Sequence, residues 1–167
     1  MHKKLLVAAL SAALFVPLAA QSKTLRWASQ GDILTLDPHA QNEGLNIAAS
    51  SYVYEPLVQY DKDFQITPAL ATEWETPSDT LWRFKIREGV KFHDGSDFTA
   101  EDVKATLDRV RDPAVASDRA FLFDMITEVI VDGDYEITIK TEYPFAPLLA
   151  HLTHDGGGIM SSEVIEQ

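Results

Sequence analysis

The sequence has no cysteine among its 167 residues. A disulfide framework, a thiolate metal site and a lipid-modified cysteine are therefore all excluded. An exported protein can fold without disulfides when its hydrophobic core is large enough. Hydrophobic residues make up 46% of the chain and charged residues 24%, a balance that is typical of a globular domain with its own core.

The sequence is also poor in basic residues. Its 14 Lys and Arg residues stand against 26 Asp and Glu residues, which gives a formal net charge of -12 at pH 7. Nucleic acids and anionic membrane surfaces bind basic patches, so this balance argues against both as partners. The acidity identifies no partner by itself, and it is typical of a surface that keeps an exported protein soluble.

Long hydrophobic runs are absent except at the N-terminus. Two lysines precede an uncharged stretch over residues 5–20, and small residues follow as far as Ser22. This pattern is typical of a secretory signal peptide cleaved near Ser22. A transmembrane anchor is the alternative, but the stretch is short for a hydrocarbon layer of roughly 30 Å and a proline interrupts it. We expect residues 1–22 to be removed and residues 23–167 to be periplasmic, with no insertion in the membrane.

Motifs for common catalytic chemistries are missing. The chain contains no Gly-x-Ser-x-Gly nucleophile elbow, no His-Glu-x-x-His zinc motif and no Gly-x-x-x-x-Gly-Lys phosphate loop. The glycine run at residues 156–158 lacks the Lys-Ser or Lys-Thr of a phosphate loop, so it is interpreted as a helix terminator. We expect no catalytic residues, no cofactor and no enzymatic activity.

The histidines are the candidates for metal ligands. His151 and His154 stand three residues apart beside Asp155, a spacing that can place ligands on one helical face. A metal site needs further convergent ligands, and the sequence marks none nearby. Two histidines at a helix end more often complement the terminal carbonyl groups, so no metal is expected. His39 and His93 lie in turns beside acidic residues and are interpreted as structural.

Hydrophobic spacing along the chain predicts a mixed α/β fold. Apolar residues recur at helical spacing over residues 42–54, with Asn42 as a possible cap. Thr99 and Asp102 open another helix as an approximate capping box. Residues 81–86 alternate apolar and charged side chains as a half-buried strand does. Further strands are predicted at residues 24–29, 57–60, 128–131 and 135–140, with a turn at 132–134 between the last two, and a second apolar helix at residues 147–152.

The aromatic residues lead to two kinds of expectation. Those at strand positions are expected in the core, namely Trp27, Trp74, Trp82 and Phe84. Phe121 and Phe123 instead alternate within the polar stretch 118–124. The alternation favours the core for both rings, because buried aromatics are the commoner case. It leaves open a rim that offers a ring to a ligand, so Phe121 is kept as a candidate ligand-binding residue.

Several motifs together resemble a known protein family. The longest is WRFKIREGVKFHDG at residues 82–95, and FTAEDV follows it at residues 98–103. Shorter matches are LDPH, YEPLV, DGDY and PFAPLL, which begin at residues 36, 54, 132 and 144. These residues resemble the extracellular solute-binding proteins of family 5, which serve the peptide and nickel ABC importers. The resemblance covers the chain after residue 22, with one departure in a shorter turn at residues 78–81.

The resemblance implies a fold and a function. Members of the family have the two-lobed, type II-like fold of periplasmic binding proteins, and the lobes close on a ligand. Residues 23–167 would then be the N-terminal part of the solute-binding domain, with the start of lobe one and a smaller α/β subdomain but without lobe two. The implied function is that of the periplasmic substrate-binding component of an ABC importer for di- or oligopeptides. Its partners would be a small peptide and the transporter permease.

Two alternatives to this function stay open. Some relatives use the same framework for nickel or another small solute, and a chain shorter than its relatives could be a truncated remnant that binds nothing. We expect the isolated chain to bind peptide no more tightly than roughly millimolar, because half of the desolvating wall would be absent. Apolar surface around Leu45, Ala49 and Val53 is expected to stay exposed.

The resemblance also implies where the ligand binds. In the family the loop after residues 37–39 faces the cleft, which makes Asn42, Glu43, Gly44 and Leu45 the candidate ligand-binding residues. Glu43 would face the amino end of a peptide, and Gly44 would let the peptide backbone approach closely. Leu45 would pack on the ligand. The alternative for each residue is a place in the cap or the interior of a helix.

Overall fold

The computed structural model describes residues 28–166. This part of the chain contains six β-strands, four α-helices and two short 3-10 helices. The strands are β1 (Val58–Tyr60), β2 (Ile66–Pro68), β3 (Ala71–Ser78), β4 (Leu81–Ile86), β5 (Ile126–Gly133) and β6 (Glu136–Thr141). The α-helices are α1 (Gly44–Ser50), α2 (Ala100–Arg111), α3 (Leu148–Leu152) and α4 (Ser162–Ile165), and the 3-10 helices are Ala120–Leu122 and Asp155–Gly157.

Several predictions concern the N-terminus. The predicted signal peptide and Trp27 lie outside the described residues, as does most of the predicted strand 24–29. The chain from Gly31 onward forms one compact unit. None of the helices within residues 28–166 combines the length and the hydropathy that a membrane crossing requires.

A four-stranded antiparallel sheet in the order β3-β4-β6-β5 is the centre of the fold. The predicted alternation of β4 is confirmed, because its three buried side chains are Trp82, Phe84 and Ile86. Its charged side chains point to the outer face. There Arg83 binds Glu75 at 2.8 Å and Lys85 binds Glu73 at 3.0 Å. Such exposed pairs contribute only about 0.2–1 kcal/mol each, so burial of the inner face supplies most of the stability of β4.

The strands predicted at residues 57–60, 128–131 and 135–140 are present, whereas β2 and β3 were not predicted. β5 and β6 form the predicted hairpin, in which Gly133 pairs with Glu136 and the hydroxyl of Thr138 donates to Asp132 at 2.6 Å. β5 is longer than predicted at both ends, Ile126–Gly133, so the turn lies at residues 134–135 and not at residues 132–134. β1 lies in the predicted segment 57–60 and pairs with β2 as a separate two-stranded sheet.

Helix α2 begins with the predicted capping box. The backbone N–H of Thr99, the N-cap residue, donates to Asp102 Oδ2 at 2.8 Å. The other carboxylate oxygen of Asp102 accepts the N–H of Ser162 at 2.8 Å. One buried carboxylate therefore starts α2 and also anchors α4, two elements that lie 60 residues apart in the chain.

The hydrophobic core lies between α2 and the inner face of the sheet and extends to α3. Its fully buried members include Phe84, Val103, Leu107, Ile137, Ile139 and Leu148. Phe123 is also fully buried, whereas Phe121 is 59% exposed. The expectation that both rings lie in the core is thus right for Phe123 and wrong for Phe121, because the 3-10 helix that contains Phe121 and ends before Phe123 turns the two side chains to different sides.

Helix α1 is shorter than its periodicity predicts. It spans Gly44–Ser50 instead of residues 42–54, and residues 51–53 form a turn. The N-cap residue is Glu43, without a side-chain cap bond. The prediction that Asn42 caps the helix is wrong, because a distant arginine binds the oxygen of its side chain instead.

The glycine run has a different role from the one predicted. Helix α3 already ends at its C-cap residue Thr153, so Gly156–Gly158 does not terminate it. All three glycines are buried. A Cβ atom on Gly158 would lie 2.7 Å from Tyr54 Cβ and 2.9 Å from the backbone oxygen of Asp155. Close packing, and not helix termination, is what requires glycine there.

Candidate ligand-binding loop

The candidate loop comprises residues 37–44, which lead into α1. At its start, Asp37 accepts two hydrogen bonds from Arg109 of α2, at 3.0 Å from Nη1 to Oδ1 and 2.8 Å from Nη2 to Oδ2. Burial raises the pKa of Asp37, but the bonds from Arg109 and from the backbone N–H of His39 outweigh it and hold the pKa below its ordinary value. This bidentate pair anchors the start of the loop to α2.

His39 is fully buried behind this ion pair. Its Nδ1 lies 2.7 Å from Nη1 of Arg109. Burial lowers the pKa of His39, and the adjacent positive charge of Arg109 lowers it further, to about 4. The ring is therefore neutral at pH 7. Because arginine only donates, Nδ1 accepts and the ring proton is assigned to Nε2. The interpretation of His39 as a structural residue agrees with this burial.

The middle of the loop is held by Arg119, whose side chain is 1% exposed. Arg119 donates to the side-chain oxygen of Asn42 at 2.6 Å and to the backbone oxygen of Gln41 at 2.7 Å. It also donates to Asp155 Oδ2 at 3.1 Å. A buried charge is tolerated only when it is paired and hydrogen-bonded. Nη1 and Nη2 meet that requirement through these three acceptors, whereas the buried Nε has no hydrogen-bond partner within residues 28–166.

Asp155 is the counter-charge of Arg119. Its side chain is 7% exposed, and its Oδ1 lies 2.7 Å from His154 Nδ1. Burial raises the pKa of Asp155, but the contacts with His154 and Arg119 outweigh it and hold the pKa below its ordinary value. Asp155 is thus a carboxylate at neutral pH, and it connects the second 3-10 helix to the candidate loop.

The two histidines that were considered as metal ligands have separate surroundings. Nδ1 of His151 lies 2.7 Å from the backbone oxygen of Leu122, and its ring packs edge-on against Phe145. His154 contacts Asp155 as described above. Within residues 28–166 no three His, Asp or Glu side chains are arranged to hold a metal ion.

The predicted ligand-binding residues fall on two segments. Asn42, Glu43 and Gly44 are exposed and Leu45 is half-buried, its side chain close to Gly31. Phe121 is exposed on the 3-10 helix that directly follows Arg119. Since Arg119 binds Asn42, the structure connects the two segments through one buried side chain.

The residues that hold the loop were not predicted in that role. Arg109 was not singled out, Arg119 lies inside the stretch that was considered for its aromatic rings, and Asp155 was considered only beside the two candidate metal-ligand histidines. An arginine two residues before an exposed aromatic is not a signal by itself. Its partners lie 77 and 36 residues away, and no local pattern indicates them.

A groove lies beside residues 53–55, which follow helix α1. It is a mostly apolar groove of about 400 Å³, lined among others by Val53, Tyr54, Phe92, Phe98, Ile159 and Met160. Val53 is 37% exposed, as expected for a surface left open. Ala49 is only 7% exposed, so the expectation of exposed apolar surface is wrong for that residue, which packs inward from α1.

Comparison with known proteins identifies the class of protein. A family model described as bacterial extracellular solute-binding proteins, family 5 Middle, matches residues 65–163. The chain therefore belongs to the family 5 solute-binding proteins, as its motifs predict. Solved structures similar to this chain also confirm the predicted fold class, a mixed α/β part of a two-lobed periplasmic-binding fold.

Particular relatives show how much of the family fold is present. The glutathione-binding protein GsiB of Escherichia coli strain 536 is 35% identical over 170 residues, which covers 99% of this chain and 33% of GsiB. NikA from Brucella suis, solved with Fe(III)-EDTA, has a TM-score of 0.70 at 32% identity, over 78% of this chain and 26% of NikA. The murein tripeptide binding protein MppA of Escherichia coli has a TM-score of 0.74 at 21% identity, over 79% of this chain and 29% of MppA, and shows the fold alone. This chain spans about a third of the length of the curated relatives it matches.

Proposed function

We propose that this chain forms one wall of a periplasmic solute-binding protein that delivers a small peptide to an ABC importer. The observation that carries the proposal is the candidate loop itself. It presents exposed polar groups at Glu43 and Gly44, while two arginines from the body of the subdomain bind its backbone and side chains. Binding residues are typically found on loops that a rigid scaffold positions.

The chemistry of the loop supports a ligand with a free amino group. Glu43 is an exposed carboxylate at the N-terminus of α1, and a carboxylate forms strong charge-assisted hydrogen bonds with an ammonium group. A Cβ atom added to Gly44 would meet no atom within 4 Å, so a ligand backbone has room to approach there. The exposed ring of Phe121 would cover an apolar part of the solute.

The relatives support a small polar solute. GsiB is a glutathione-binding protein, and glutathione is a peptide with an ammonium group and two carboxylates. NikA was solved with Fe(III)-EDTA, a metal chelate rich in carboxylates. Peptide is proposed over nickel because the loop offers a partner for an amino group. The process is binding and release without a chemical step. The permease would be the protein partner, and the N-terminal segment would direct export.

A chimera tests the proposal. In it this chain replaces the matching third of GsiB, and calorimetry measures the binding of reduced glutathione. We expect binding, and we expect Glu43→Gln to weaken it roughly tenfold or more, because one charge-assisted hydrogen bond is lost. Glu128→Gln, on the exposed side of β5, is the matched control and should leave affinity unchanged.

Two results would contradict the proposal. A chimera with a cooperative thermal melt that binds neither glutathione nor a panel of tripeptides would rule out the peptide wall. A nickel response in the micromolar range that depends on His151 and His154 would replace peptide with metal as the solute. Equal affinities for Glu43→Gln and Glu128→Gln would remove Glu43 from the site and leave the rest of the proposal standing.

A further inference from the structure

We propose that Arg119 is a positioning residue for the candidate loop: it holds Gln41 and Asn42 so that Glu43 and Gly44 are presented to the solute, and it does so without touching the solute. This inference rests on the proposed function for its effect on affinity, but the geometry itself does not depend on any ligand. With 1% of its side chain exposed, Arg119 is out of reach of a solute.

The guanidinium of Arg119 joins its own segment to two distant ones, the candidate loop and the second 3-10 helix. Nη1 donates to Asn42, and Nη2 donates both to the Gln41 backbone oxygen and to Asp155. Arginine suits this task because its planar group presents donors in fixed directions, so the acceptors must take matching positions. The loop therefore cannot shift at Gln41 and Asn42 without breaking two bonds at the same time.

The charge of Arg119 makes those bonds obligatory. Asp155 neutralises it, but one carboxylate oxygen cannot satisfy the donors of a buried guanidinium. The remaining acceptors come from the loop and are uncharged. If the loop moved away, buried N–H groups would lose their partners with no water to replace them, so the loop and the ion pair are stable only together.

The aliphatic part of Arg119 is equally restricted. A Cβ atom on Gly156 would lie 3.0 Å from both Cβ and Cγ of Arg119, so the glycine backbone packs directly on this stem. Phe123, four residues after Arg119 in the chain, is fully buried in the core and lies against Gly157. The packing of Gly156 and Phe123 thus holds the side chain of Arg119 in place. Because its donors have fixed positions, the acceptors on Gln41 and Asn42 have fixed positions too.

Hydrogen exchange of the whole chain, without ligand, is the first test. In Arg119→Gln we expect the helical amides of residues 47–50, the first of which donates to the backbone oxygen of Glu43, to exchange roughly tenfold faster or more. The amides of β4 and β6 should be unchanged, because the lost contacts hold only the loop and the segment of Asp155. Arg111→Gln is the matched control. Arg111 is a partly buried arginine of α2 that donates to the backbone oxygens of Leu107 and Ile126, and its loss should leave the exchange of residues 47–50 unchanged.

Two exchange results would overturn the inference. One is exchange of residues 47–50 in Arg119→Gln that equals that of the parent chain. The other is an increase spread evenly over the chain and matched by Arg111→Gln, which would show that Arg119 contributes only general stability. Arg119→Lys should exchange almost as fast as Arg119→Gln, because one ammonium group cannot span the three acceptors.

A double-mutant cycle in the GsiB chimera, with reduced glutathione as the probe, tests the effect on affinity. We expect Arg119→Gln to weaken binding roughly tenfold and Asn42→Ala to weaken it by no more than that. The double variant should be no weaker than Arg119→Gln, because Asn42→Ala removes one of the three contacts that Arg119→Gln already removes. Additive losses, or an unchanged affinity in Arg119→Gln, would overturn the link to binding. Failure of the parent chimera to bind glutathione would contradict the proposed function, and hydrogen exchange would still decide the role of Arg119.

Discussion

His39 should make the stability of this protein depend on pH in a defined window. Its pKa falls from the ordinary value of 6.5 to about 4 in the folded chain. Between these values the unfolded chain binds a proton on this ring and the folded chain does not, so the free energy of unfolding decreases as the pH is lowered. The contribution is fully present above pH 6.5 and is lost as the pH falls to about 4.

The magnitude follows from the two pKa values. A tenfold difference in proton affinity corresponds to about 1.4 kcal/mol, so the complete loss is about 3 kcal/mol, and about 2.5 kcal/mol is lost by about pH 4.5. Asp37 and Asp155, whose pKa values lie below 3.8, remain charged at that pH. Their contribution to the pH dependence of the free energy of unfolding comes at lower pH, so it can be distinguished from the contribution of His39.

Urea unfolding at about pH 7 and about pH 4.5, followed by circular dichroism, measures this difference. The parent chain should lose about 2.5 kcal/mol between the two conditions. His39→Gln should lose much less, whatever its absolute stability, because no ring titrates at that position. His93→Gln is the control, since His93 is exposed, and it should behave as the parent chain does. The same loss in the parent chain and in His39→Gln would refute the reasoning.

Two further predictions concern buried contacts and are measured by thermal or urea unfolding. Asp102→Ala should lower the free energy of unfolding by about 2–4 kcal/mol, because it removes the cap of α2 and leaves the first N–H of α4 without its acceptor. Glu101→Ala, at the exposed neighbouring residue, should lower it by less than about 1 kcal/mol. Equal losses in the two variants would contradict the double role of Asp102. Gly158→Ala should cost about 1–3 kcal/mol, because the new Cβ meets Tyr54 at 2.7 Å. Gly133→Ala, where a Cβ meets nothing within 4 Å, should change stability by no more than about 0.5 kcal/mol, and equal effects of the two glycine variants would refute the packing argument.

Local sequence patterns determined the elements whose causes are also local. The strand at residues 81–86, the capping box of Thr99 and Asp102, and the hairpin around residues 132–134 all depend on neighbours within a few positions. The family motifs likewise lie in short runs, and they indicated the fold class and the kind of binding protein. These features needed no knowledge of where distant segments meet.

Only the tertiary structure decided what holds the candidate loop. Arg119 reaches Asn42 and Asp155 across 77 and 36 residues, and the burial of His39 depends on Arg109, 70 residues away. The same long-range packing placed Phe123 in the core and Phe121 on the surface, although the two share one local pattern. Burial and charge pairing are properties of the assembled chain, because a side chain is desolvated only by residues that folding brings to it.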